Sequence, residues 1–192
     1  QTGMASGTGS DPQLHSLHTL VDASQYTTAS ATQVLSFALL DELLALVKAK
    51  DGEVDFIMMA ARTLRSYKIL VRALGGVNEV MTFTMPNGTT RTVSVYEDIP
   101  IFQNDYLSVA ETANGAALTT GALTSVYAGC FDDGSGKVGV SMIHPVAVEA
   151  GIMVESVGAA EAKDNQIMRV KSYSNFAQFN RRGTARLTSI SN

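Results

Sequence analysis

From Val34 to Lys50 the chain runs without a glycine or proline and is dense in Leu and Ala, residues that lose little rotamer freedom in a helix. Apolar residues cover most of the circumference of such a helix, so the pattern predicts a largely buried element. Lys48 and Lys50 complement the dipole in its last turn, and Asp51-Gly52 ends it. Phe56-Ile57-Met58-Met59 is fully apolar and reads as a central strand. Thr63 to Leu74 is helical again, with Leu64, Tyr67, Val71 and Leu74 on one face and Gly75-Gly76 as its stop. Helix, strand and helix make a packed scaffold that carries no evident chemistry.

A chain of 192 residues holds one ordinary domain, or a compact domain with a peripheral layer. It is 45% hydrophobic but only 17% charged, against a usual charged share of about 25%. Two readings fit: a well-filled core, or a surface covered by other subunits in an obligate assembly. The net charge of −4 argues against coating nucleic acid with the whole surface. One cysteine, Cys130, excludes an intrachain disulfide and a cysteine-based zinc cluster. No apolar run is long enough for a transmembrane helix, and the first residues lack the pattern of a signal peptide. A start at Gln1 without Met suits a fragment or a processed chain.

Residues 1–13 are rich in Gly, Ser and Thr and read as loop. Leu14, Leu17 and Leu20 suit one or two turns of helix, and in the small, polar segment Thr27–Thr32 either Ser30 or Thr32 would cap the buried helix. Val80–Met85, Pro86-Asn87-Gly88 and Thr92–Tyr96 form the clearest hairpin. Ile99-Pro100-Ile101-Phe102 is a short extended piece, kept out of helix by its proline. Asn104 to Gly121 is a long, small-residue loop centred on Asn114-Gly115, a length that suits function or contact. Further strands are expected at Thr124–Phe131, Val138–Ile143, Ile152–Val157, as one long run over Ile167–Phe179, and at Arg186–Ile190.

Chemistry is scarce along this chain. His15 and His18 would share a helical face, but only Asp11 and Asp22 lie nearby as further ligands, so two surface histidines fit better than a metal site. Gly134-Ser135-Gly136-Lys137 fails the phosphate-loop pattern, with Phe131 and Val138 at positions that need Gly and Ser or Thr. Asp41-Glu42 and Asp132-Asp133 lack a partner base, and Cys130 beside Phe131 reads as a small buried hydrophobe. Asn87-Gly88-Thr89 matches a glycosylation sequon, though the turn itself demands Asn-Gly. Arg181, Arg182 and Arg186 form a small basic cluster, extended by Arg169 and Lys171, suited to acids on a neighbouring subunit.

Taken in order, several segments resemble the major capsid proteins of tailed bacteriophages. Leu39–Leu44, Val54–Met59 and Arg62–Arg65 look like that family's helix, strand and helix. Tyr96-Glu97-Asp98-Ile99-Pro100-Ile101 resembles its aromatic-x-Gly-x-Pro-apolar strand, with Asp98 where glycine is usual. Val126–Asp132, Gly151–Val154, Arg169–Tyr173 and Gly183–Leu187 are similar to its later strands, and Gly7–Leu17 to the link after its long spine helix. The colinear order over nearly the whole chain carries the resemblance.

The resemblance implies an α+β capsid fold. An axial domain over residues 31–140 would hold a central sheet flanked by the two helices, residues 1–30 would link from the spine helix, residues 141–182 would be peripheral, and residues 183–192 would return to the axial sheet. The arm, extended loop and spine helix of the family would precede Gln1. It further implies a structural, non-enzymatic subunit assembling into pentamers and hexamers around double-stranded DNA, without sequence-specific binding, cofactor, metal or membrane. Scaffolding or portal protein would be further partners, the virion its location and the host cytoplasm the place of assembly. Expected subunit contacts are the hairpin tip (Pro86, Asn87, Gly88), the long loop (Asn104, Asp105, Asn114, Gly115) and Arg181 with Arg182. An encapsulin, a cellular nanocompartment shell of the same fold, and a small α+β ligand-binding enzyme are the alternatives.

Overall fold

The structure, a computed structural model, describes residues 17–77, 79–85, 87–113, 120–133, 136–146, 152–159 and 166–191. Helix α1 is a single turn, Leu17–Leu20, followed by a 3-10 turn at Ala23–Gln25 that Asp22 caps. Strand β1 (Tyr26–Gln33) leads to helix α2 (Phe37–Lys48), strand β2 (Phe56–Met59) and helix α3 (Ala61–Ala73). Strands β3 (Val80–Thr84), β4 (Thr90–Tyr96), β5 (Ile99–Gln103) and β6 (Thr124–Gly129) follow, then β7 (Val140–Ile143), β8 (Ile152–Ala159), β9 (Gln166–Ser172), β10 (Asn175–Gln178) and β11 (Thr184–Ile190).

The cap of α2 is neither Ser30 nor Thr32. Both lie in β1, and the cap is Ser36, whose hydroxyl accepts from the Leu39 amide at 3.4 Å. Asp51 takes φ +55° after the helix, and the Gly52 amide returns to the Val47 carbonyl, so Asp51-Gly52 does close α2. The helix is less enveloped than its sequence predicts. Leu39, Leu40, Leu43, Leu44 and Val47 are buried, while Ala38, Asp41, Glu42, Ala45 and Lys48 face outward. In α3 only Thr63, Leu64 and Tyr67 are buried, and Leu74 stands outside the core, 74% exposed.

Seven strands form one mixed sheet in the order β1-β11-β6-β2-β5-β4-β3. Parallel pairings join β1 to β11 and β2 to β5, and the other neighbours run antiparallel. Strand β1 departs from the sequence reading, which left Thr27–Thr32 outside any strand. Its backbone is recruited by the edge of β11, a tertiary pairing that a small polar segment does not advertise. Its register with β11 slips between Thr28 and Gln33, and Ser189 opposite takes φ +64°.

Alternation divides the sheet into two faces. Ile57, Ile101, Val126, Ala128, Ala185 and Leu187 join the buried residues of both α2 and α3 in one core. Phe37 meets Tyr67 edge-on at 6.1 Å and stacks on Tyr96 at 5.8 Å, locking the start of α2 to α3. The two helices thus share one face instead of flanking the sheet. Two short pairs, β7–β10 and β8–β9, complete the described structure. The single strand expected over Ile167–Phe179 is broken at Tyr173–Ser174, because its halves pair with different partners.

Candidate contact surfaces

The sheet sends the expected contact residues to two opposite ends. Met59 pairs with Gln103 at one end, whereas Phe56 and Thr184 align with Gly129 at the other. The β3–β4 hairpin projects past the Met59 end, the same end from which Asn104 and Asp105 leave β5. Asn87, Gly88, Asn104 and Asp105 therefore share an end. Arg181 and Arg182 precede Thr184 at the opposite one. Pro86, Asn114 and Gly115 lie outside the described residues, as do His15, Gly134 and Ser135.

Local bonding fixes each of these segments. The Asn87 side-chain carbonyl accepts from the Thr89 amide at 3.1 Å and its hydroxyl at 2.6 Å, and Gly88 adopts φ +79°. In the loop, the Asn104 amide donates to the Met59 carbonyl at 3.0 Å, and its side-chain oxygen accepts from the Tyr106 amide at 2.9 Å. Gln103 Nε2 donates to Asp105 Oδ1 at 2.7 Å, while Tyr106 projects outward. The turn between β4 and β5 holds Glu97 at φ +48° and Asp98 at φ +62°. Asp98 thus occupies a left-handed position that glycine fills at no steric cost and Asp tolerates better than most residues.

The face of the sheet opposite α2 and α3 carries a polar cluster. Arg186, expected in a surface basic patch, is 1% exposed and pairs with Glu111 at 3.1 Å, itself 2% exposed. Arg186 Nε and a terminal nitrogen also donate to Ser125 Oγ at 3.1 and 3.0 Å. The guanidinium lies 5.3 Å from the Tyr26 ring centroid and 5.6 Å from that of Tyr127. Glu111 reaches the cluster because its backbone bridges Leu123, which folds the loop onto the sheet. A close approach shapes that fold, for a Cβ at Gly121 would lie 1.8 Å from the Glu111 carbonyl. Nothing in the spacing of Glu111 and Arg186 announces this pairing.

His18 is not a free surface histidine. Its Nδ1 lies 3.0 Å from the Tyr127 hydroxyl, and burial beside the Arg186 cation lowers its pKa from 6.5 to about 4. Among the described residues no three His, Cys, Asp or Glu side chains group as a metal site. Cys130 is buried, and burial raises its thiol above the usual range. Lys137 binds Asp55 and Glu53, at 2.8 Å for the latter, and those bonds raise its pKa. Lys171 pairs across the ribbon with Glu155 at 2.6 Å, so of the expected basic C-terminal patch both Arg186 and Lys171 are satisfied within the chain.

The β8–β9 ribbon is amphipathic. Register places Ile152, Val154, Met168 and Val170 on one side, each more than half exposed, and the Glu155, Arg169 and Lys171 side chains on the other. An isolated two-stranded ribbon is marginal in water, and this one leaves its apolar side exposed.

The fold is similar to that of a known shell protein. A chain of the holo-SrpI encapsulin complex from Synechococcus elongatus PCC 7942 matches with a TM-score of 0.71 over 92% of this chain, at 15% sequence identity. The two chains share a fold. The match spans 57% of the encapsulin chain. No protein-family model matches the sequence, and no curated protein matches it either.

Proposed function

We propose that this chain is a structural subunit of a closed protein shell that assembles with copies of itself. The carrying observation is the fold, shared with an encapsulin chain over 92% of this one. The exposed apolar side of the β8–β9 ribbon and the low charged fraction support the same reading, since both suit surface that neighbours cover. Within it, residues 31–140 with the final strand act as the axial domain and residues 141–182 as the peripheral one. The hairpin tip, the loop from Asn104 and the Arg181-Arg182 turn contact neighbours. Heterologous contacts whose rotation closes generate rings, and in this reading the Asn87–Asp105 end of one subunit meets the Arg181–Arg182 end of the next.

The colinear sequence resemblance supports a tailed-bacteriophage capsid, with pentamers and hexamers enclosing double-stranded DNA in a virion. A nanocompartment shell around protein cargo is the second reading, compatible with the same shared fold. Nuclease-protected nucleic acid in purified particles distinguishes them: protected duplex supports the capsid, and particles free of nucleic acid but carrying a companion protein support the nanocompartment.

A further inference from the structure

Helix α3 carries Arg62, Arg65, Lys68 and Arg72 and no acid, in a chain whose net charge is −4. Its buried side, Leu64 and Tyr67, faces the core, with the Tyr67 hydroxyl donating to the Val95 carbonyl at 2.8 Å. Arg65, Lys68 and Arg72 recur at spacings of three and four, which puts them on one outer stripe. Arg65 and Arg72 are exposed, and seven residues of helix set them ~10 Å apart, the axial rise of about three base pairs. Lys68 shares a groove of about 650 Å³ with Arg91 of β4, which brings a fourth cation to the same side. The one acid lining that groove, Asp105, is held by Gln103. Among the described residues none of Arg65, Lys68, Arg72 and Arg91 makes an ion pair, although Lys48, Lys137, Lys171 and Arg186 all do.

We propose that this stripe, Arg65, Lys68 and Arg72 with Arg91, is a contact for the phosphate backbone of duplex DNA. The proposal rests on the reading of the chain as a DNA-enclosing shell subunit. Three of the four cations are arginines, whose planar forks grip phosphate oxygens, like carboxylates, in pairs. Phosphate is favoured over an acidic protein surface by the apolar poverty of the helix around them. Ile69 is the one large apolar residue exposed on the helix itself, and it offers no aromatic anchor of the kind on which protein contacts centre. Four contacts suit a cargo held weakly and without sequence preference.

The test is fluorescence-anisotropy titration of a labelled mixed-sequence duplex with the unassembled full-length protein, over a range of salt. Four phosphate contacts give a slope of about −3.6 in log affinity against log salt, so a threefold rise in salt weakens binding about 50-fold. The Arg65→Gln/Arg72→Gln variant should reduce the slope to about −1.8 and weaken low-salt binding at least tenfold. Lys48→Gln/Arg169→Gln, the same change in net charge elsewhere, should stay within about twofold of wild type. Equal weakening by both pairs, or none by either, overturns the proposal. So does an Arg65→Gln/Arg72→Gln variant that changes particle size while binding duplex normally, since the stripe would then be a subunit contact. Shell formation is scored separately by imaging, so the stripe can fail while the container stands.

Discussion

Removing the charge of Glu111 tests the buried cluster most sharply. Glu111→Gln keeps the side-chain shape and one acceptor but leaves the Arg186 guanidinium, 1% exposed, with Ser125 and two aromatic rings as its compensation. Taking one partner from a buried pair costs about 3–5 kcal/mol, because the remaining ion stays desolvated and uncompensated. With a urea dependence of about 2 kcal/mol per molar, the midpoint should fall by about 2 M. Replacing both partners, Glu111→Leu with Arg186→Met, removes the stranded charge and should cost less than Glu111→Gln alone. Equilibrium urea unfolding followed by circular dichroism measures both. A Glu111→Gln loss below about 1 kcal/mol, the size of a surface pair, would refute the reasoning. So would a double variant less stable than the single one.

Four further outcomes are expected. His18 is held neutral by burial beside Arg186, with its pKa near 4 in the fold against 6.5 in the unfolded chain. The stability it contributes is therefore complete above pH 6.5 and lost as pH falls from there towards 4, because the unfolded chain takes up the proton first. The urea midpoint of His18→Gln should depend less on pH across that window than wild type does. Gly121→Ala puts a Cβ 1.8 Å from the Glu111 carbonyl and should cost about 2 kcal/mol in thermal or urea unfolding, with the Glu111–Leu123 bridge the first contact displaced. Ser36→Ala removes the cap of α2 and should lower stability by about 1 kcal/mol in the same assays. Asp98→Gly relaxes a side chain at φ +62° and should be neutral or stabilise by less than about 1 kcal/mol, read as a small rise in melting temperature.

The helix–strand–helix core and the hairpin were legible because their signals are local: a Leu-rich run without breakers, an apolar tetrapeptide, and Asn-Gly between alternating strands. Partner-dependent features were not. Strand β1 forms because β11 offers a free parallel edge, and its small polar residues carry no period of their own. The break at Tyr173–Ser174 separates two strands whose partners, β8 and β7, differ, while the alternation of the sequence continues through it. Arg186 was misplaced by association with Arg181 and Arg182, its neighbours in sequence. It alternates between buried Ala185 and Leu187 in a strand covered on both faces, and there an arginine needs an acid that only the folded loop delivers. Of the contact candidates, the structure gathers Asn87, Gly88, Asn104 and Asp105 at one end of the sheet and sets Arg181 and Arg182 at the other. That polarity of the sheet becomes visible only once strand order and direction are known.

The shell reading is tested most directly by negative-stain electron microscopy of the purified full-length protein, alone and with any scaffolding protein that accompanies it. Closed particles, or five- and six-membered rings, are the expected result. A uniform population of small globular particles under both conditions would contradict a shell-forming role and leave the shared fold serving another purpose.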